Sequence, residues 1–249
     1  ETDFSDASGA DKAFVGHMLE VSQIIETLYM KQTGAWDLRD QVGDHEASAT
    51  LFHRNQGPWC LAPATENDPL CSAISGSPPP ISALYPAELQ LQPDFCATLA
   101  AEHPEVMAPF VTAVQREDAL VAVPYSDRWP EEMSAAAATL RSAAGVLDPT
   151  EEAALIAYLN AAALAFETND WFTADEAWAE MNQRNSSWYL RIGPDETYFD
   201  PCAEHAGFHI VFARVNLAGV AWQDRLEPVK QQMEQQLATL AGPPYAART

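Results

Sequence analysis

The sequence predicts a mainly α-helical fold that contains long irregular loop segments and at most a few short strands. Three observations indicate this class. Apolar residues recur at helical spacing in several stretches of the chain. Helix-start signals, in which a proline stands beside acidic residues, precede two of these stretches. A long segment rich in proline separates the first helical stretch from the later ones.

The predicted organisation is one helical domain over residues 13–241, with a loop-rich insertion at about 56–93. Apolar residues make up 47% of the 249 residues, so the chain has enough material for a core and is not disordered throughout. Residues 1–12 are mostly polar and predict a flexible segment. Residues 242–249 are typical of a linker, because they open with Gly-Pro-Pro and carry no helical pattern.

The first helix is predicted over residues 11–31. Its apolar residues lie three or four positions apart, which puts them on one face: Phe14, Met18, Val21, Ile25 and Leu28. Gly34 follows, and a glycine just past the last apolar residue is typical of a helix end.

The loop-rich insertion is predicted from its helix-breaking residues, which include Gly57-Pro58, Asn67-Asp68-Pro69 and the triplet 78–80. Two cysteines, Cys60 and Cys71, flank part of it. Together with Cys96 and Cys202 they form an even set, and no C-x-x-C pair of the zinc-binding kind occurs. Four buried free thiols are the alternative, but we favour a Cys60–Cys71 disulfide and an extracytoplasmic, oxidising compartment.

Later helices are predicted from the same spacing and from start signals such as Pro130 with Glu131 and Glu132. Their ranges are 94–99, 104–115, 131–144, 152–166, 173–182, 203–218 and 222–240. A short strand is predicted over 188–192.

The charge of the chain excludes some classes of partner. There are 36 acidic and 13 basic residues, which give a formal net charge of -23, and the basic residues form no cluster. A phosphate backbone or an anionic membrane surface repels such a chain, so we expect no nucleic-acid partner. No apolar run approaches the roughly 20 residues that a transmembrane helix needs.

Two groups of side chains are candidates for a functional site. His205 and His209 lie four positions apart on the predicted helix over 203–218, and such a pair can hold a metal ion, although chance pairs at this spacing are common. Asp195, Glu196 and Tyr198 are crowded into a turn after Gly193-Pro194. Carboxylates held together there can receive a cationic group such as a peptide's amino end. The alternative is a capped turn whose acids are solvated.

The same turn carries a resemblance. The stretch Ile192-Gly-Pro-Asp-Glu-Thr-Tyr-Phe-Asp200 resembles the G-P-x-E-x-Y-x-D signature of the dipeptidyl peptidase III family of zinc metallopeptidases and its bacterial relatives. The order of neighbouring segments is also similar to the bacterial branch, over roughly residues 121–220: Val123-Pro-Tyr-Ser126, Tyr158-Leu159, Asn169-Asp170-Trp171 and Ala177-Trp178.

The resemblance implies a two-lobed, largely helical peptidase in which zinc is bound by two histidines of an H-E-x-x-x-H motif and a later glutamate. That motif is absent from these 249 residues, and in the family it lies downstream of the signature. We therefore expect no catalytic residue in this chain and a zinc site on a downstream or separate chain. Asp195, Glu196 and Tyr198 would bind the peptide. Arg191, which occupies the position of an aromatic hydroxyl in some members, is a fourth candidate.

Two functional hypotheses follow. In the first, the chain is the substrate-cleft lobe of a secreted or lipid-anchored zinc peptidase that hydrolyses peptides. In the second, it is a non-catalytic peptide-binding or assembly module that keeps the same fold.

Overall fold

The computed structural model describes residues 4–66, 68 and 70–248. About half of the chain, 52%, is helical, and the described part contains two antiparallel two-stranded sheets. The predicted fold class, mainly α with a few short strands, is confirmed. Some residues of the three predicted irregular segments lie outside the described residues. They are residues 1–3 of the N-terminal segment, Asn67 and Pro69 of the insertion, and Thr249 of the C-terminal tail.

The helices and strands follow in chain order. The helices are α1 (Gly9–Thr33), α2 (Glu46–Asn55), α3 (Ala87–Gln90), α4 (Phe95–Glu102), α5 (Tyr125–Arg128), α6 (Pro130–Gly145), α7 (Ala153–Thr168), α8 (Phe172–Glu180), α9 (Leu217–Leu226) and α10 (Lys230–Ala241). The strands are β1 (Val111–Arg116), β2 (Ala119–Pro124), β3 (Trp188–Pro194) and β4 (Phe208–Arg214). Short 3₁₀ turns cover Trp36–Gln41, Pro104–Met107 and Glu227–Val229.

Helix α1 forms where the sequence predicts it and supplies one wall of the core. Ser8 caps its start by accepting a hydrogen bond from the Asp11 backbone N–H at 3.0 Å. Gly34 ends it in the left-handed conformation, with φ of 76°. Its apolar face is buried against α6 and β4 through Phe14, Met18, Val21, Ile25 and Leu28.

The rest of the core lies between α6, α7 and the β3–β4 hairpin. Pro130 is the first residue of α6, as its start signal predicts. Aromatic rings fill the centre, where Phe166 stacks on Phe208 and both contact Trp171. Trp171 and Trp188 are therefore core residues.

Two helix predictions are wrong. Over 104–115 the chain forms a 3₁₀ turn and then β1, which pairs with β2. Over 203–218 it forms a turn and then β4. Alternate side chains of β4 face the core. Phe208 is buried there, and Ile210 and Phe212 are partly buried and pack against it. This period of two is the strand pattern, and the helical reading overlooked it.

All four cysteines are paired. Cys60–Cys71 forms as predicted, with a Cα–Cα distance of 5.8 Å, and Cys96–Cys202 forms a second disulfide at 5.4 Å. The alternative of four free thiols is therefore wrong. In the described part of the chain, we find no helix whose length and hydropathy would suit a membrane span.

Candidate functional site

The signature-like turn joins the two strands of the β3–β4 hairpin. In this hairpin Arg191 lies opposite Val211, and Gly193 lies opposite His209. Side chains alternate along a strand, so Arg191, His209 and Val211 share the outer face while the inner face is buried in the core. Gly193 is itself buried. The outer face is therefore the surface on which the hairpin can present functional groups.

The core holds β3 in place through two residues behind it. The hydroxyl of Tyr158 accepts a hydrogen bond from the Ile192 N–H at 2.9 Å and donates to the Ile192 carbonyl at 3.1 Å. Burial raises the pKa of Tyr158 to about 12, so the hydroxyl keeps its proton. Gly193 has φ of 134°, and a Cβ there would lie 2.6 Å from a ring carbon of Trp171. Only glycine fits at this position near the end of β3.

The turn between the strands is held by the buried carboxylate of Asp200. It accepts hydrogen bonds from the Tyr85 hydroxyl at 2.9 Å and from the Glu204 backbone N–H at 3.0 Å. Burial alone would raise the pKa of Asp200, but the neighbouring His205 and the Glu204 N–H hold it below its ordinary value. Cys202, in the same turn, is bonded to Cys96 of α4.

Helix α1 also contacts this turn through one buried amide. The Gln32 side chain donates to the Ala206 carbonyl at 3.0 Å and accepts from the Phe208 N–H at 2.8 Å. Gln32 is fully buried. It satisfies the Phe208 N–H, and it shares the Ala206 carbonyl with the Tyr125 hydroxyl, which also donates to that oxygen at 3.0 Å.

Three of the predicted site residues come together on this support. Asp195, Glu196 and Tyr198 line a cavity of 340 Å³ on the outer side of the hairpin. Tyr29 and His209 line the same cavity. Glu196 is exposed and Tyr198 is 83% exposed, so both side chains can reach a ligand.

The fourth predicted residue, Arg191, lines an adjoining cavity of 400 Å³ and is engaged by two carboxylates. It donates to Asp175 at 2.6 Å and to Asp195 at 2.9 and 3.3 Å, and its guanidinium lies 5.2 Å from the centre of the Trp178 ring. Hydrogen bonding from Arg191 lowers the pKa of Asp195. Arg191 therefore fixes the Asp195 carboxylate at the boundary between the two cavities.

The two cavities together are anionic. Their walls carry three carboxylates, from Asp175, Asp195 and Glu196, against the one guanidinium of Arg191. Burial lowers the pKa of His209, which makes its ring neutral at pH 7. A cationic group, such as an ammonium, complements this surface.

The two histidines that are candidates for a metal site lie in different elements of the structure. They were predicted on one helix face, but His205 lies in the turn and His209 lies in β4. The His205 ring is buried, with Nε2 at 2.9 Å from the Val106 carbonyl and Nδ1 at 3.6 Å from Asp200. His209 faces Asp195 at 3.7 Å. Among residues 4–66, 68 and 70–248, no three His, Cys, Asp or Glu side chains are grouped to hold a metal ion.

Several supporting residues have no signal in the sequence. Asp175, Tyr85 and Gln32 reach the hairpin from distant parts of the chain, and only the tertiary fold brings them there. Tyr158 and Trp178 stand within the segments that resemble the peptidase family. A larger cavity of 920 Å³ lies between α2 and the Cys60–Cys71 loop, and it contains none of the predicted peptide-binding residues.

No protein-family model matches the chain, and its sequence matches no curated protein. Two solved structures are similar in fold. One is DPP III from Caldithrix abyssi, with a TM-score of 0.76 and 21% identity over 94% of this chain and 45% of that one. The other is dipeptidyl-peptidase III from Corallococcus sp. strain EGB, with a TM-score of 0.70 and 26% identity over 94% of this chain and 44% of that one.

The chain has a DPP III-like fold. It spans less than half the length of either solved DPP III chain.

Proposed function

We propose that the chain is the substrate-cleft lobe of a secreted zinc-dependent peptidase of the DPP III kind. The zinc site would be supplied by a downstream segment or a separate chain. The observation that carries this proposal is the anionic cavity at Asp195, Glu196 and Tyr198, on a turn that resembles the family's signature. The two disulfides support an extracytoplasmic location.

Within this proposal, the residues of the chain bind and orient the peptide. Glu196 accepts hydrogen bonds from the peptide's ammonium group, and Asp195, fixed by Arg191, adds negative charge beside it. The Tyr198 hydroxyl donates to or accepts from the peptide backbone. No set of three ligand side chains in the described residues fits a zinc ion, so no catalytic step is assigned to them.

Peptide binding by the isolated chain tests the orientation of the ligand. We expect tetra-alanine amide with a free amino end to shift the NMR signals of residues 195–198 and His209. Its N-acetylated form should bind more weakly because it has no ammonium group. The ion pair with Glu196 is solvent-exposed and contributes about 0.2–1 kcal/mol, so Glu196→Gln should weaken binding of the free peptide about 1.4- to fivefold.

A matched control is Glu102→Gln, which removes the same charge from an exposed position on α4. It should leave the peptide affinity unchanged. Equal binding of the free and acetylated peptides, or signal shifts confined to the cavity beside α2, would contradict the assignment.

A second assay separates the peptidase from the non-catalytic module. Protein purified from its natural source should hydrolyse tetra-alanine amide, and a zinc chelator should stop the reaction. Binding without hydrolysis in that preparation would instead favour the module.

A further inference from the structure

Helices α9 and α10 carry an apolar surface that the described part of the chain does not cover. Neither helix has a buried residue, although together with the 3₁₀ turn between them they extend from Leu217 to Ala241. Seven large apolar side chains of this segment are 39–87% exposed, and six of them follow Leu217 at regular spacing: Trp222, Leu226, Val229, Met233, Leu237 and Leu240. We call these six residues the α9–α10 stripe.

The spacing of the residues in the stripe is typical of a helix face that packs against another surface. Its members are three or four positions apart, so they follow one side of the helical segment. Four of them, Trp222, Leu226, Met233 and Leu237, also line a cavity of 700 Å³. The surface is therefore both apolar and concave. Such surfaces are typical of sites into which side chains of another segment insert.

The stability of these helices also points to a missing partner. Isolated helices shorter than about 12–15 residues are marginal in water, and most helices in proteins depend on burying an apolar face. Helices α9 and α10 have 10 and 12 residues. Arg184 pairs with Asp224 at 2.6 Å, and Tyr245 and Arg248 hydrogen-bond Glu234. These polar contacts leave the α9–α10 stripe open.

The negative charge of the chain distinguishes between the possible binding partners of the α9–α10 stripe. A second copy of this chain would bring together two bodies that each carry a net charge of -23. An anionic membrane is disfavoured for the same reason, and the helices carry only Arg225 and Lys230 as basic residues against Asp224, Glu227 and Glu234. An uncharged or less acidic protein surface is the complementary partner.

The similar solved structures indicate which protein surface this is. More than half of each DPP III chain lies outside the part that matches this chain. We propose that the α9–α10 stripe docks that remaining portion of the DPP III-like fold, whether it is joined to this chain or carried by a separate polypeptide. The inference rests on the part of the proposed function that calls for a second lobe.

Photocrosslinking in the native cells tests the occupant. Leu237→p-benzoylphenylalanine puts a photoreactive group on the stripe, and Gln235→p-benzoylphenylalanine puts it on the opposite side of α10 as the control. We expect at least tenfold more adduct from position 237. Mass spectrometry should identify its partner as a segment that aligns with the unmatched portion of the two DPP III chains. An adduct with a second copy, a lipid or any other protein, or no excess over the control, would overturn the proposal.

A charge variant keeps the test independent of the photoreactive residue. Leu237→Asp should weaken the association with the identified segment at least tenfold, while Gln235→Asp should not. Neither variant should change the affinity of the isolated chain for tetra-alanine amide. Undiminished docking of Leu237→Asp, with peptide binding intact, would therefore count against this proposal alone, whereas docking of the wild type without peptide binding would count against the proposed cleft.

Discussion

The two disulfides should contribute unequally to stability, because they close loops of very different length. The Cys60–Cys71 bond joins residues 11 positions apart, and the Cys96–Cys202 bond joins residues 106 positions apart. A cross-link removes conformational entropy from the unfolded chain, and the amount removed rises with the logarithm of loop length. At 25 °C this gives about 3 kcal/mol for the short loop and about 5 kcal/mol for the long one, a difference of about 2 kcal/mol.

The comparison requires two double variants, Cys60→Ala with Cys71→Ala and Cys96→Ala with Cys202→Ala. Urea unfolding at pH 7, followed by tryptophan fluorescence, gives the free energy of unfolding of each variant and of the oxidised wild type. We expect the variant without the long-range bond to lose about 2 kcal/mol more than the other.

The reduced wild type serves as the control, since it lacks both bonds and should be less stable than either double variant. Equal losses in the two variants, or a larger loss from the short loop, would refute the argument from loop length. The stabilisation would then have to come from contacts in the native state.

Two further predictions concern the hairpin. Gly193→Ala should lower the free energy of unfolding by about 3 kcal/mol or more, because the new Cβ would lie 2.6 Å from Trp171 at a φ of 134°. The control is Gly76→Ala, at a φ of 86° with no atom within 4 Å, which should lower the free energy of unfolding by only about 1–2 kcal/mol. Similar losses from the two variants in urea unfolding would contradict the predicted clash at Gly193. The pKa of His209 is lowered chiefly by burial, so the unfolded chain binds the proton first as the pH falls. The stability that neutral His209 provides is present above its ordinary value of 6.5 and is lost as the pH falls below it. Wild type should therefore lose more stability than His209→Gln between pH 7 and pH 5, and equal losses would exclude this titration.

The sequence predicts best the features that depend on neighbouring residues. Helix α1 follows from its apolar spacing and from a glycine at its end, and both are local signals. The cluster of Asp195, Glu196 and Tyr198 is also local, because one turn contains all three. The Cys60–Cys71 pairing belongs to the same class, since the two residues flank one short excursion of the chain.

Features that depend on distant residues were missed. Strand β4 is stabilised by pairing with β3 and by packing on α1, so helical spacing misled the prediction over 203–218. The bond from Tyr85 to Asp200 joins residues 115 positions apart. Asp175 reaches Arg191 because α8 packs against α7, which supports β3. No pattern within a short window contains these contacts.

The single amide of Gln32 makes the candidate site part of a larger cooperative unit. It joins the backbone at Ala206 and Phe208 to a 25-residue helix, which is roughly 37 Å long at 1.5 Å per residue. The last turns of α1 therefore cannot unfold locally without also breaking the Gln32 bonds to the Ala206 carbonyl and the Phe208 N–H. Backbone amides at the entrance to β4 should exchange with solvent at the slow rate of the α1 interior, although they stand next to an exposed turn.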